Sequence, residues 1–145
     1  MIENFIALKI RNATATDFPS IMEQAKKFDL DCEMADVSQF VVAANDSEIL
    51  GFGRILKHEG FFELATLGVA TSVQKKGIGK KLVEHLLALY PENLFLVTVL
   101  PGFFTKLGFK EVKEFSPVFL KKINFCKDYH FHDEEIKVMT FKPEY

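Results

Sequence analysis

The chain has 145 residues, 48% of them hydrophobic, with 16 Phe beside three Tyr and no Trp. That is enough for one ordinary domain with a sizeable core, packed with apolar rings. Its 18 basic and 20 acidic side chains leave a net charge of −2, which excludes the basic excess that a nucleic-acid-binding face needs while leaving room for a local basic pocket.

The opening residues, Met1-Ile2-Glu3-Asn4-Phe5-Ile6-Ala7, lack the basic head and long apolar run of a signal peptide. No uninterrupted apolar stretch approaches the ~20 residues that span a bilayer, so no membrane partner is expected. Cys32 and Cys126 are far apart and form no CxxC pair, which argues against a disulfide framework. The expectation is a soluble cytoplasmic protein with reduced thiols.

Phe5 to Arg11 alternates as a first strand. Asp17 reads as a helix N-cap, with Pro19 in the first turn and Ile21, Met22 and Ala25 on a buried face. Phe28 to Val37, rich in acids and small apolar residues, suits a short helix or a loop. Gln39 to Ala44 and Glu48 to His58 flank the turn Asn45-Asp46-Ser47 and predict an antiparallel hairpin, with Gly51 and Gly53 marking a bulge. Phe62 to Val69 is the next strand. Gly77 to Tyr90 is the clearest helix: Ile78, Leu82, Leu86 and Leu89 recur at helical spacing, Val83 and Leu87 widen the stripe, and Lys80, Lys81 and Glu84 face water. Pro91 ends it. Leu94 to Leu100 reads as a strand covered on both faces, Pro101 opens a short helix that Gly108 closes, and Phe109 to Val112 and Ile136 to Phe141 are closing strands. The order β-α-(α)-β-β-β-α-β-α-β-β gives a single α/β domain over residues 1–145, with a mixed sheet and helices on both faces.

The chemistry concentrates between Leu64 and Leu82. A strand ends at Leu67-Gly68-Val69, a loop follows, and Gly77-Ile78-Gly79 opens the long helix. The first N–H groups of a helix have no internal partner and its dipole is positive there, which makes an anion site suited to phosphate. Gly77 and Gly79 let an anion approach the backbone, and Lys75, Lys76 and Lys80 add positive charge. A lone Gly-x-Gly at a helix start also serves as a plain tight turn, and lysines there as a solvated face. The Gly-x4-Gly-Lys-Ser/Thr spacing and a third dinucleotide-type glycine are both lacking.

Gln74-x-x-Gly77-x-Gly79, preceded by Leu67-x-Val69, resembles the Gln/Arg-x-x-Gly-x-Gly/Ala signature of the GCN5-related N-acetyltransferases, the GNAT family. Phe103-Phe104-Thr105-Lys106-Leu107-Gly108-Phe109 is similar to that family's Phe-Tyr-x-Lys-Leu-Gly-Phe segment. Together the two motifs cover roughly residues 62 to 112. The resemblance implies a mostly antiparallel α+β fold and an acetyl-CoA cosubstrate. It places the pyrophosphate on Gln74, Lys75, Lys76, Gly77, Ile78, Gly79 and Lys80, the pantetheine arm along Leu67, Gly68 and Val69, and Phe104 beside the thiol. It also makes a homodimer one available assembly. The chain departs from the family pattern in three places: Ala70-Thr71-Ser72 stands where a proline is frequent, Phe104 replaces the Tyr that often protonates the leaving thiolate, and the last thirty residues match nothing.

Transfer to an amine requires a free lone pair, and an amine of pKa ~10.4 is only about 0.04% neutral at pH 7, a penalty of roughly 4.6 kcal/mol. A general base is therefore useful. Glu63, set among Phe61, Phe62, Leu64 and Ala65 where desolvation would raise its pKa, aligns with the Glu that several family members use; a strand-edge Glu facing water or a lysine is its plainer reading. A backbone N–H at or next to Leu67, freed by a bulge around Gly68, would stabilise charge on the thioester oxygen. A thiol of pKa ~8.5 leaves without an obligatory acid, with Tyr129 and Cys126 as substitutes that also read as structural. Cys126-x3-His130-x-His132 with Asp133 fits no common zinc spacing, so no metal is expected.

The acceptor is a small-molecule or peptide amine. The acidic run Asp29, Asp31, Glu33 and Asp36 suits a cationic or polyamine acceptor, or is a solvated loop; some relatives acylate amino acids such as glutamate. Two alternatives stand beside the enzyme reading: a non-catalytic acyl-CoA-binding or sensor domain, and an α/β domain whose glycine loop takes another nucleotide.

Overall fold

The computed structural model describes residues 8–70, 77–89, 93–129 and 135–141. Among them are four α-helices and seven strands, β1 (Lys9–Asn12), β2 (Phe40–Ala44), β3 (Ile49–His58), β4 (Phe61–Val69), β5 (Leu94–Thr98), β6 (Phe109–Glu111) and β7 (Lys137–Phe141), hydrogen-bonded in the order β1-β2-β3-β4-β5-β7-β6. Pairing is antiparallel for β1–β2, β2–β3, β5–β7 and β6–β7, and parallel for β4–β5. The chain forms two compact units, one of Met1–Leu56 with Leu64–Leu89, the other of Lys57–Glu63 with Tyr90–Tyr145.

The first unit holds β1 (Lys9–Asn12), α1 (Phe18–Lys27), β2 (Phe40–Ala44), most of β3 (Ile49–His58), the later part of β4 (Phe61–Val69) and α2 (Ile78–Leu89). Its sheet carries a helix on each face. Ile21 and Ala25 of α1 pack with Phe40, Val42, Ala44, Ile49 and Phe52. On the opposite face the missing side chains of Gly51 and Gly53 admit α2: a Cβ on Gly51 would sit 3.0 Å from Leu82 and 3.1 Å from Ile78, and one on Gly53 would sit 3.5 Å from Leu86. The expected bulge is there, as Ala43 pairs with Gly51 while Ala44 pairs with Ile49. Along α2, Ile78, Leu82, Val83 and Leu86 are buried. Leu89, read as part of that stripe, is half exposed.

Asp17 stands at the N-cap position of α1, as expected, but its side chain is used elsewhere. Asp17 closes a 3-10 turn, Ala15–Asp17, ahead of α1, and makes no side-chain cap to that helix. Its carboxylate turns back to Thr14 N (2.7 Å) and Thr14 Oγ1 (3.0 Å), and to Arg11. The segment from Thr14 to Asp17 is a capping box in its own right, so it captures the carboxylate first.

The second unit holds the start of β4, β5 (Leu94–Thr98), α3 (Pro101–Thr105), β6 (Phe109–Glu111), α4 (Phe119–Asp128) and β7 (Lys137–Phe141). β5 is covered on both faces, unevenly: Leu94, Leu96 and Thr98 are buried, while Phe95 and Val97 are half-buried, Phe95 against Phe119 of the later helix. Gly108, at φ +100°, ends the turn after α3, and a Cβ there would meet Phe141 at 2.9 Å. Helix α4 is absent from the sequence reading. Its start signal is Ser116-Pro117, where the Ser116 carbonyl accepts from Phe119 N (3.1 Å) and its hydroxyl accepts from Val118 N (3.3 Å).

Candidate active site

The second half of β4 is kinked by one residue. Thr66 is buried and has φ +52°, a left-handed conformation unusual for a β-branched side chain and worth about 1–3 kcal/mol of strain. Leu64 and Leu67 both reach toward Gly53, at 3.7 and 3.3 Å from where its Cβ would sit. In an unbroken strand, residues three apart would point to opposite faces. The bulge expected around Gly68 is thus centred on Thr66. Gly68 serves close packing instead: a Cβ there would lie 2.6 Å from the Phe52 ring and 3.1 Å from Leu30.

Strained Thr66 is held by a buried cation. Arg54, 1% exposed, donates from Nε to Thr66 Oγ1 (2.7 Å), from Nη1 to Gln39 Oε1 (3.1 Å) and Glu33 O (3.3 Å), and from Nη2 to Asp31 O (3.3 Å) and Glu33 O (3.3 Å). The Thr66 hydroxyl in turn donates to Asp31 O at 2.6 Å. The acidic run therefore folds in by its carbonyls. Of its carboxylates, Asp31 accepts from Glu33 N (3.0 Å), and Asp36 caps the 3-10 turn Val37–Gln39. The Ser38 hydroxyl and N–H on Asp36 hold its pKa below the ordinary aspartate value.

The residues expected to hold a phosphate lie at the start of α2. Gly77 has φ +86° and is exposed, and among the described residues no heavy atom lies within 4 Å of where a Cβ would be. The first helical bond described there runs from Lys81 N to Gly77 O (3.1 Å), so the N–H groups of Ile78, Gly79 and Lys80 lie ahead of the helical ladder. Lys80 is exposed. Gly68 and Ile78 come together over Gly51, whose Cβ would stand 3.3 Å from Gly68 O and 3.1 Å from Ile78. Gln74, Lys75 and Lys76 lie outside the described residues, as do His130, His132 and Asp133.

In the second unit Glu63 is buried at 6% exposure. Its Oε1 is 2.8 Å from Nε2 of His58, whose side chain is 24% exposed. The turn Glu59-Gly60 brings the two together. The His58 ring stacks on Phe61 (4.8 Å between centroids) and meets Phe119 edge-on (6.3 Å), and Phe95, the register partner of Glu63, packs against Phe61 and Phe119. A buried carboxylate tied to one imidazole can accept a proton and has a neighbour able to pass it on. Phe104 is buried between Phe103 (4.9 Å) and Phe109 (5.5 Å). Cys126 lies within α4, and Tyr129 follows that helix with its ring 5.0 Å from Phe125. Among the described residues no group of three or more His, Cys, Asp or Glu is placed to hold a metal, and no helix is long and apolar enough to cross a membrane.

The sequence reading missed His58, Arg54 and Thr66. Arg54 had a signal, being a charge inside the apolar run Leu50 to Leu56. The His58–Glu63 pair had one in the two-residue turn that separates their strands.

Residues 36–111, just over half of the chain, match the family profile described as Acetyltransferase (GNAT) domain. An uncharacterised N-acetyltransferase of Chlorobaculum tepidum is 32% identical over a stretch covering 56% of each chain; the present chain thus spans little more than half the length of that relative. Among solved structures, Rv2747 of Mycobacterium tuberculosis, in complex with CoA, is similar at a TM-score of 0.71 and 20% identity, over 94% of this chain and 99% of its own. The N-acetylglutamate synthase of Neisseria gonorrhoeae, complexed with coenzyme A and N-acetyl-glutamate, is similar at 0.69 and 20% identity, over 91% of this chain and 34% of its own.

Proposed function

The chain belongs to the GNAT acetyltransferase family, and from that premise we propose that it moves an acetyl group from acetyl-CoA to a primary amine by direct attack, with Glu63 as general base. The observation that carries this reading is the Glu63–His58 pair: a buried carboxylate with one oxygen committed at 2.8 Å to an imidazole that reaches the surface. We assign its other oxygen to the amine. Removing the ammonium proton offsets the roughly 4.6 kcal/mol that a neutral amine costs at pH 7, and His58 gives that proton a route outward.

Acetyl-CoA supplies the activated acyl group. The open, left-handed Gly77 and the helix-start N–H groups of Ile78, Gly79 and Lys80 fit its pyrophosphate, with Gln74, Lys75 and Lys76 completing that loop. Leu67, Gly68 and Val69 hold the pantetheine arm, and the Leu67 N–H stabilises charge on the thioester oxygen. Glu63 and Leu67 are four residues apart on β4, so one strand carries both roles. We propose that residues 1–145 act as one N-acetyltransferase domain on a small-molecule or peptide amine in the cytoplasm, as a monomer or homodimer.

A second reading, an acyl-CoA-binding module without turnover, draws on Phe104, whose buried ring offers no hydroxyl to a leaving thiolate. Thiol release from acetyl-CoA across a panel of polyamines, amino acids including glutamate, and lysine peptides separates the two. Amine-dependent release is expected; CoA binding with no release from any amine would favour the module.

A further inference from the structure

The Arg54 cluster goes beyond the reading above and rests on it. A buried guanidinium is retained at a desolvation cost that an apolar side chain of the same volume would avoid. What it adds is direction, because five N–H donors in a rigid fork fix the acceptors around them. Here the five described bonds go to two places: the Thr66 hydroxyl, and the segment 31–39 through Asp31 O, Glu33 O and Gln39 Oε1. The Thr66 hydroxyl closes the circuit by donating to Asp31 O. Thr66 is also the residue at φ +52°, and the next two peptide groups belong to Leu67 and Gly68. A left-handed residue in mid-strand relaxes unless its surroundings hold it.

We propose that Arg54 is a positioning residue for acetyl transfer. Through Thr66 it locks the kink that sets the direction of the Leu67 and Gly68 peptide groups, and through the carbonyls of Asp31 and Glu33 it ties the acidic loop to that same kink. The cofactor strand and the loop are thus one mechanical element. Arg54 itself touches neither substrate.

Amide hydrogen exchange and steady-state kinetics test this on the full chain. Thr66→Val keeps the branched shape and deletes the hydroxyl. It should raise exchange at least tenfold in both 29–36 and 66–69 while leaving α2 protected, and lower kcat at least tenfold; Thr66→Ser should restore most of both. Arg54→Met should show the same paired exchange, and if it does not fold, Thr66→Val decides alone. Exchange unchanged in either segment, or lower overall stability with kcat per folded molecule unaltered, overturns the proposal. A wild-type protein that turns over no acetyl-CoA sinks the functional reading instead, and the exchange pattern still judges the clamp.

Discussion

Arg54 in the first unit and Glu63 in the second are both buried charged side chains, and they are satisfied to opposite degrees. The guanidinium has five described hydrogen bonds, to a hydroxyl, a side-chain amide and two backbone carbonyls. The carboxylate has one described bond, to an imidazole that itself reaches solvent. A saturated buried charge is costly to break and has nothing left to offer a ligand. An incompletely engaged one is costly to keep, and keeps lone pairs for chemistry. The difference separates a side chain that shapes the backbone from one that can handle a proton.

The largest expected effect breaks that comparison at Glu63. Glu63→Gln keeps size and hydrogen-bonding capacity but cannot take the amine's proton. The rate at neutral pH should fall 10²–10⁴-fold, the usual contribution of a positioned base. Acetyl-CoA affinity should hardly change, because the groups assigned to the cofactor lie elsewhere. Raising the pH should recover much of the rate, since more of the amine is then already neutral. A pH–rate profile superimposable on that of the wild type would put Glu63 with Arg54, as a structural charge.

A smaller effect is expected at Gly77, where the first unit is open rather than saturated. With φ +86° and no described heavy atom within 4 Å of its Cβ position, Gly77→Val strains the backbone and puts a branched side chain beside the helix-start N–H groups. CoA binding measured by calorimetry should weaken more than tenfold, with the fold retained. An unchanged dissociation constant would remove the phosphate assignment from the start of α2.

Regular, local signals made most of the fold legible. Helix α2 could be read because Ile78, Leu82, Val83 and Leu86 repeat at helical spacing between a glycine and a proline. The β2–β3 hairpin could be read from Asn45-Asp46-Ser47 between β-rich runs. Two kinds of feature could not be read. Helix α4 buries Phe119 alone among its residues, so it has no strong apolar stripe and its start signal stood unsupported. The kink at Thr66 and the clamp of Arg54 depend on partners 12 to 35 residues away, and no local pattern records such pairings. At the candidate site, the glycines and Glu63 were nameable through the family motif. His58, which gives Glu63 its partner, lies before the motif and matches nothing in it.

The smallest expected effect sharpens the comparison with a third buried charge, Asp17. Like Arg54 it is well satisfied, taking Thr14 N and Oγ1 together with a two-pronged contact from Arg11 at 2.7 and 3.1 Å. Unlike Arg54 it sits beside solvent, since the Arg11 side chain is 41% exposed. The Arg11 hydrogen bonds, helped by those from Thr14, bring the Asp17 carboxyl down to about 2. A folded-state value below the unfolded one gives stability that is fully present above about pH 4 and is lost as pH falls through about 2. Full conversion of that depression would be worth about 2.4 kcal/mol; solvent around Arg11 screens it, and about 1 kcal/mol is the expected share. Urea unfolding at pH 5 and at pH 2.5 should therefore show Asp17→Asn less stable than wild type at the higher pH and closer to it at the lower. Acetyl transfer at neutral pH should be unaffected per folded molecule, because Asp17 braces the entry to α1 and none of the groups assigned to acetyl-CoA. An equal deficit at both pH values would mean that Asp17 acts through its shape and hydrogen bonds, and that its charge contributes nothing measurable.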